Sequence, residues 1–272
     1  MTIPAPVQPD QDPARWDRYA HAYEQVFEPL TTAFLQPVLD QLGPLAGLDV
    51  LDVAAGAGGG ALAALQRGAC VTAVDASPAM VSRIAARAAG VTARVMDGTA
   101  LALPDARFDL AFSCFGVVLF PDPAAGLAEM RRVLRHGGRT AIVTWTEPHR
   151  YALATRLRDA VAAVRGGPLP MGELPAQLRF TDPERLQALL ADAGFLVTKI
   201  MPLSADLQAP SAAELAGMLR FAPGMAAMLD ALGPDRAAVL DRFAAQLQAD
   251  QGHGPVRLGA AAHAAIAVKG RA

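Results

Sequence analysis

The chain has 272 residues, 53% hydrophobic and 18% charged, with a formal net charge of -2, which suffices for one large domain with its own core. Its positive charge is dispersed and almost all arginine, since Lys199 and Lys269 are the only lysines; with no basic run to track phosphates, nucleic acid is a poor partner. The longest weakly polar stretch, 47–65, carries Asp49, Asp52 and a glycine cluster, which excludes a membrane span.

Residues 1–13 hold four prolines and no apolar periodicity, so a disordered leader is expected, without the basic and apolar regions of a secretory signal. Trp16, Tyr19, Ala20, Tyr23 and Phe27 recur at helical spacing, predicting one or two helices across Trp16–Leu42. From Asp49 strands and helices alternate, the pattern of a parallel α/β sheet. Strands are predicted at Asp49–Val53, Cys70–Asp75, Thr92–Asp97, Phe108–Phe115 and Arg139–Trp145. Ser77-Pro78 and Asp122-Pro123 each supply a cap and a first-turn proline, and Gly90 and Gly137 stand where helices should end. Further on, helices are expected over Arg150–Val164 and from Pro183 to Ala193, and a sixth strand over Phe195–Leu203. More helices run from the Ser211/Glu214 capping box to Asp250, and a last strand spans Ala260–Lys269.

Two cysteines, Cys70 and Cys114, fall inside predicted strands as buried free thiols, which fits a reducing cytoplasm. No Cys/His cluster has metal-ligand spacing, so no metal is expected.

The chemistry concentrates in VLDVAAGAGGGA (Val50–Ala61) and the following VTAVDASPAM. A strand closes on Asp52, a loop of small residues follows with Gly56 and Gly58, then a helix, then a strand ending on Asp75. Glycine allows close backbone approach to a ligand, and an acid at the tip of the second strand can accept both hydroxyls of a ribose. A nucleoside-bearing cofactor is therefore expected at the carboxyl edge of the sheet. The loop also satisfies the G-x-G-x-x-A form of the dinucleotide fingerprint, which leaves both NAD(P) and S-adenosylmethionine open.

Asp52 before the loop, Asp97-Gly98 after the third strand, LALPDARFDLAF, and FPDPAAGLAEMRRVLRHGG before the fifth strand separate the two. Together they resemble the class I S-adenosylmethionine-dependent methyltransferases, in the small-molecule branch related to ubiquinone/menaquinone C-methyltransferases. The resemblance is specific across Trp16–Trp145 and looser beyond. It implies a Rossmann-like seven-stranded sheet of order 3-2-1-4-5-7-6, strand seven antiparallel, with an N-terminal helical lid and a helical cap insertion. One domain would then span 14–272, with a lid at 14–45, a cofactor-binding half at 46–149 and substrate-side segments at 150–258.

By that resemblance Asp52 would hold the amino-acid end of the cofactor through water, and the Ala54–Gly58 backbone would approach its methionine and ribose portions. Asp75 would take the ribose hydroxyls, Ala76 and Met80 would line the adenine, and Asp97 and Gly98 would meet its ring. Ser113, Cys114 and Phe115 would floor the methionine, with Tyr19 and Tyr23 of the lid above. Ala54 departs from the family pattern, which has glycine there.

The implied reaction is SN2 methyl transfer to a small, largely apolar or aromatic metabolite. His149, His21 and Tyr23 are the candidates for a general base. Alternatives are an NAD(P)-dependent oxidoreductase and an S-adenosylmethionine-binding protein with non-methylating chemistry. The substrate pocket is expected from 150–256, with Tyr151, Leu153, Leu157, Met171, Phe180, Met218, Phe221, Met225 and Met228.

Overall fold

The computed structural model describes residues 7–167 and 174–270; Met171 lies outside them. A short turn at Pro9–Gln11 leads to α1 (Pro13–Trp16) and α2 (Ala20–Ala22). Tyr23–Phe27 then winds as a π-turn before α3 (Glu28–Gln41). The expected one or two helices are thus a broken run. A π-turn inserts a residue into the helical repeat and displaces side chains from the α-helical stripe; here Tyr23 and Phe27 bracket it.

Beyond this run come β1 (Asp49–Val53), α4 (Gly59–Gln66), β2 (Cys70–Asp75), α5 (Pro78–Arg87), β3 (Thr92–Val95) and β4 (Phe108–Cys114). Next are α6 (Pro123–Val133), β5 (Leu134–Trp145), α7 (Ala152–Arg165), α8 (Pro183–Asp192) and β6 (Phe195–Ala209). The chain closes with α9 (Ala212–Gly217), α10 (Pro223–Ala231), α11 (Arg236–Gln251) and β7 (Val256–Lys269). The seven strands form one sheet of order β3-β2-β1-β4-β5-β7-β6, and β7 runs antiparallel to both neighbours, as the resemblance implied.

Strand alternation divides the apolar residues between two faces. Val50 joins Phe34, Leu39, Phe112, Val143 and Phe243 in one core; Leu51 and Val53 join Phe108, Leu127, Ile142 and Leu186 in the other. The helix starts are capped as the sequence indicated: Ser77 Oγ accepts from Met80 N, Asp122 from Ala125 N and Ser211 from Glu214 N.

Several boundaries move. β5 begins at Leu134, so Gly137, with φ +72°, lies inside a strand and not at a helix end. Gly90 falls beyond α5, whose last turn closes at Ala88. β6 and β7 run past the expected ends because Leu203, Leu207 and Ala209 are buried while Asp206 and Gln208 face out. That period-2 pattern carries a two-stranded extension, and α9–α11 connect its strands. Cys70 is exposed at the first position of β2 and Cys114 half-buried at the last of β4, so the expectation of two buried thiols is corrected. No described helix is long and apolar enough to cross a membrane.

Residues 7–13, expected within a disordered leader, are tied down. The Gln8 side chain bonds Leu174 O and Ala176 N, and Asp10 Oδ1 accepts from Gly224 N at 2.6 Å.

Candidate active site

A cavity of about 890 Å³ opens at the carboxyl ends of β1, β2, β4 and β5, where ligands bind in open α/β sheets. One end is built from loop and strand-tip residues. Ala54, Gly56, Asp75, Ala76, Met80, Asp97, Gly98, Cys114 and Phe115 all line it, with Tyr23.

Asp75 is the best-held group. Its Oδ2 accepts from Gly56 N and its Oδ1 from Ser77 N, both at 2.9 Å. Two backbone donors fix the carboxylate while each oxygen keeps a further acceptor site. Burial nonetheless pushes its pKa up to about 6, against the opposing pull of the Ser77 and Gly56 N–H groups. Asp97 is exposed at the cavity rim, and its Oδ1 accepts from Thr99 N and Oγ1.

Asp52 does not line the cavity. It is 2% exposed, and its Oδ2 has no partner among the described residues. Burial, then the Asp75 charge, raise its pKa well above the carboxylate range. Ser113 is also buried, with Oγ accepting from Val117 N at 2.9 Å. Gly58 starts α4 at φ +99°, where a Cβ would crowd Ile84. Tyr19 is off the cavity, beside Arg220. None of these four reaches a ligand in the cavity directly.

The remaining end is aromatic. Phe27 stacks on Phe221 with centroids 4.6 Å apart and meets Trp145 at 6.0 Å. Trp145 packs on Phe115 at 4.4 Å and stacks on Tyr151 at 4.8 Å. Phe115 reaches this wall from a left-handed backbone, φ +63°, a conformation that costs on the order of 1–2 kcal/mol for a residue with a Cβ. Of the expected substrate-side residues, Tyr151, Phe221 and Met225 line the cavity. Leu153 and Leu157 are buried core, and Met218, Met228 and Phe180 pack against the cores.

Sequence reasoning passed over Trp145 and Thr31, which line the cavity, and Glu28, which frames it. Glu28 Oε1 caps the first turn of α4 through Gly59 N at 2.8 Å, and Oε2 accepts from Arg87 at 2.7 Å. Glu24 pairs with Arg83 and Arg87. The signal was present: two glutamates four apart and two arginines four apart form a ladder. An aromatic residue closing β5 was equally readable, because strand ends face the crevice.

The three base candidates do not bring a base to the cavity. His21 is exposed and bonded to Arg83, and His149 is exposed outside the lining. Tyr23 lines it, but burial drives its hydroxyl above the ordinary tyrosine range.

The residues fit a nucleoside-sulfonium cofactor. A carboxylate with two backbone anchors stands at the β2 tip, an unpartnered acid lies under the loop, and the Tyr23 ring lies 3.0 Å from where a Gly56 Cβ would be. Loop, acid and the Tyr23 ring are thus in mutual reach.

Comparison with known proteins agrees. Residues 50–138 match the family described as methyltransferase domain. Nocamycin O-methyltransferase of Saccharothrix syringae is 30% identical over 266 residues, covering 89% of this chain and 92% of its own. Demethylmenaquinone methyltransferase of Thermus thermophilus is 36% identical over 54% of this chain and 74% of its own. The chain spans about half the length of other curated relatives, uncharacterised proteins of Mycobacterium tuberculosis, of which 56% is matched at 38% identity. Among solved structures, the YcgJ protein of Bacillus subtilis superposes with a TM-score of 0.56 at 18% identity, over 88% of this chain and 98% of its own.

Proposed function

Because the chain belongs to the S-adenosylmethionine-dependent methyltransferases, we propose that it methylates a small, largely apolar or aromatic metabolite. The membership sets aside the NAD(P) oxidoreductase reading. The observation that carries the substrate class is the continuity of one cavity from the Asp75 end to the wall of Phe27, Trp145, Tyr151 and Phe221.

When bound, S-adenosylmethionine supplies an electrophilic methyl on a sulfonium. Asp75 would take the ribose hydroxyls, with Ala76 and Met80 beside the adenine and Asp97 and Gly98 at its edge. Asp52 would act from beneath the Ala54–Gly58 loop on the amino-acid end. Phe115 and Cys114, at the β4 end, would separate this region from the acceptor. The aromatic rings orient the acceptor and exclude water, and orientation alone is worth effective molarities of about 10⁵ M or more. The name of the full-length relative favours an oxygen acceptor. With no histidine in the cavity lining among the described residues, an acidic hydroxyl that ionises in solution suits the site better than an alcohol needing a base.

The test is incubation with methyl-labelled S-adenosylmethionine and fractionated bacterial metabolites, followed by mass spectrometry. Label in an apolar, aromatic product supports the proposal. Label only in anionic, water-soluble metabolites would refute the substrate class.

A further inference from the structure

The charges on the cavity wall are all of one sign. Asp10, Asp75, Asp97 and Asp122 line it, and among the described residues no lysine, arginine or histidine does. Asp75 and Asp97 stand at the cofactor end. Asp122 and Asp10 each cap a helix, Asp122 Oδ1 through Ala125 N of α6 and Asp10 Oδ1 through Gly224 N of α10. Asp122 is exposed, whereas Asp10 is half-buried and its Oδ2 accepts no hydrogen bond among the described residues.

Asp10 comes from the turn that precedes α1, far in sequence from the loop acids, and lines the cavity. It is tied there from two directions. Gly224 N, in the first turn of α10, donates to Oδ1, and the Trp16 indole N–H donates to the Asp10 carbonyl at 3.0 Å. Phe221, Ala222 and Met225, on either side of Gly224, line the same cavity. The carboxylate is therefore held at the first turn of α10, next to the stretch that carries Phe221 and Met225. It has one N–H donor and, among the described residues, no cationic partner. Burial raises its pKa, opposed only by the Gly224 bond. A desolvated carboxylate without a counter-charge is costly, and such a group in a cleft marks a site that a ligand completes.

We propose that Asp10 is a specificity residue that binds a protonated amine on the methyl acceptor, in a cavity whose lining also carries Trp16, Phe27 and Phe221. A carboxylate among aromatic faces is the chemistry that recognises an ammonium group. The ammonium is a handle and not the methylated atom, because a protonated amine has no lone pair to attack with. The acceptor class is thus an apolar or aromatic body bearing a basic nitrogen, and carboxylate- or phosphate-bearing acceptors are rejected. This rests on the methyl-transfer reading of the cavity.

The experiment uses the full chain saturated with S-adenosylhomocysteine and three indoles of similar size: tryptamine, 3-ethylindole and indole-3-propionate. Calorimetry should show tryptamine binding about tenfold tighter than 3-ethylindole, as expected for one desolvated charge-assisted contact, and indole-3-propionate weakest. Asp10→Asn keeps an oxygen for Gly224 N and should remove the tryptamine preference while leaving S-adenosylhomocysteine affinity unchanged. If Asp10→Asn instead weakens S-adenosylhomocysteine and keeps the amine preference, Asp10 serves the cofactor's own ammonium and the proposal fails. An absence of amine preference in the unaltered protein overturns it without any variant. Failure of S-adenosylhomocysteine to bind the unaltered protein would overturn the methyl-transfer reading itself.

Discussion

A Cβ placed on Gly116 would overlap the Cβ of Ala54 and come within 3.0 Å of Ser113 Oγ. The two residues share one confined space where the β1 and β4 ends meet. Ala54 is itself left-handed, with φ +57°, a conformation that favours glycine. The alanine is accommodated because Gly116 leaves room for it.

The first prediction follows. Ala54→Gly relieves about 1–2 kcal/mol of left-handed strain and adds about 0.4–1 kcal/mol of unfolded-state entropy cost. A net gain of roughly 0.5–1 kcal/mol should raise Tm by about 1–4 °C. Gly116→Ala should destabilise by about 1–3 kcal/mol, as overpacking does, and by less in the Ala54→Gly background. Calorimetric melting of the four proteins measures the coupling. Strict additivity would show that the two sites do not compete for space.

Asp75 sets a pH dependence. Its folded pKa of about 6 lies above the ordinary 3.8, so the ligand-free fold takes up a proton as pH falls and loses this contribution as pH rises through 4 to 6. Ligand affinity moves oppositely, because hydroxyl donors need the ionised acid. S-adenosylhomocysteine should therefore bind about tenfold more weakly at pH 5 than at pH 7. Asp75→Asn should weaken binding by about 10- to 100-fold, equivalent to one charge-assisted hydrogen bond, and flatten the profile between pH 5 and 7. Calorimetry across that range checks both, and a variant that kept the slope would assign it to Asp10 or Asp52.

Much of this site was readable in the sequence, for physical reasons that also explain what was not. β1 and β2 are short apolar runs with an acid at or next to the end, so Asp52 and Asp75 advertised the sheet edge. The π-turn at Tyr23–Phe27 has no such signature: the residues keep helical spacing, and only packing against the Gly56 loop and Trp145 shows where they point. Asp10 was hidden in a proline-rich leader because its order comes from Gly224, some two hundred residues away. Met218 and Met225 look alike in sequence and both pack against the core, yet only Met225 also lines the cavity, which the tertiary path of α9–α10 decides.

Glu28 ties α3 to the first turn of α4. It is buried, caps Gly59 N and pairs with Arg87, so Glu28→Ala should cost about 2–3 kcal/mol in urea unfolding, a cap plus one broken, partly buried pair. Glu28→Gln keeps the cap and should cost about half. Hydrogen exchange over Trp16–Phe27 should slow on adding S-adenosylhomocysteine if this segment closes over the ligand, and should be faster in Glu28→Ala. Equal exchange with and without ligand would make it a static packing element.

The last prediction separates cavity wall from core on one stretch of chain. Phe221 is 3% exposed, stacked on Phe27 and part of the cavity lining, and Met225 lines it one turn further on. All three touch the same core, but Met218 is not part of the cavity lining. Once the labelled product identifies the acceptor, Phe221→Leu should raise its KM about tenfold, the scale of a lost apolar contact in a specificity pocket. Met225→Ala should act in the same direction, and both should leave S-adenosylhomocysteine affinity within about twofold, since Asp75 and the loop are untouched. Met218→Ala should do the reverse, lowering stability by about 2 kcal/mol through lost packing with KM unchanged. Steady-state kinetics paired with thermal melting gives each variant two coordinates. If Phe221→Leu moved cofactor affinity and turnover together, or if Met218→Ala alone shifted KM, α9 and α10 would have to exchange roles around the acceptor.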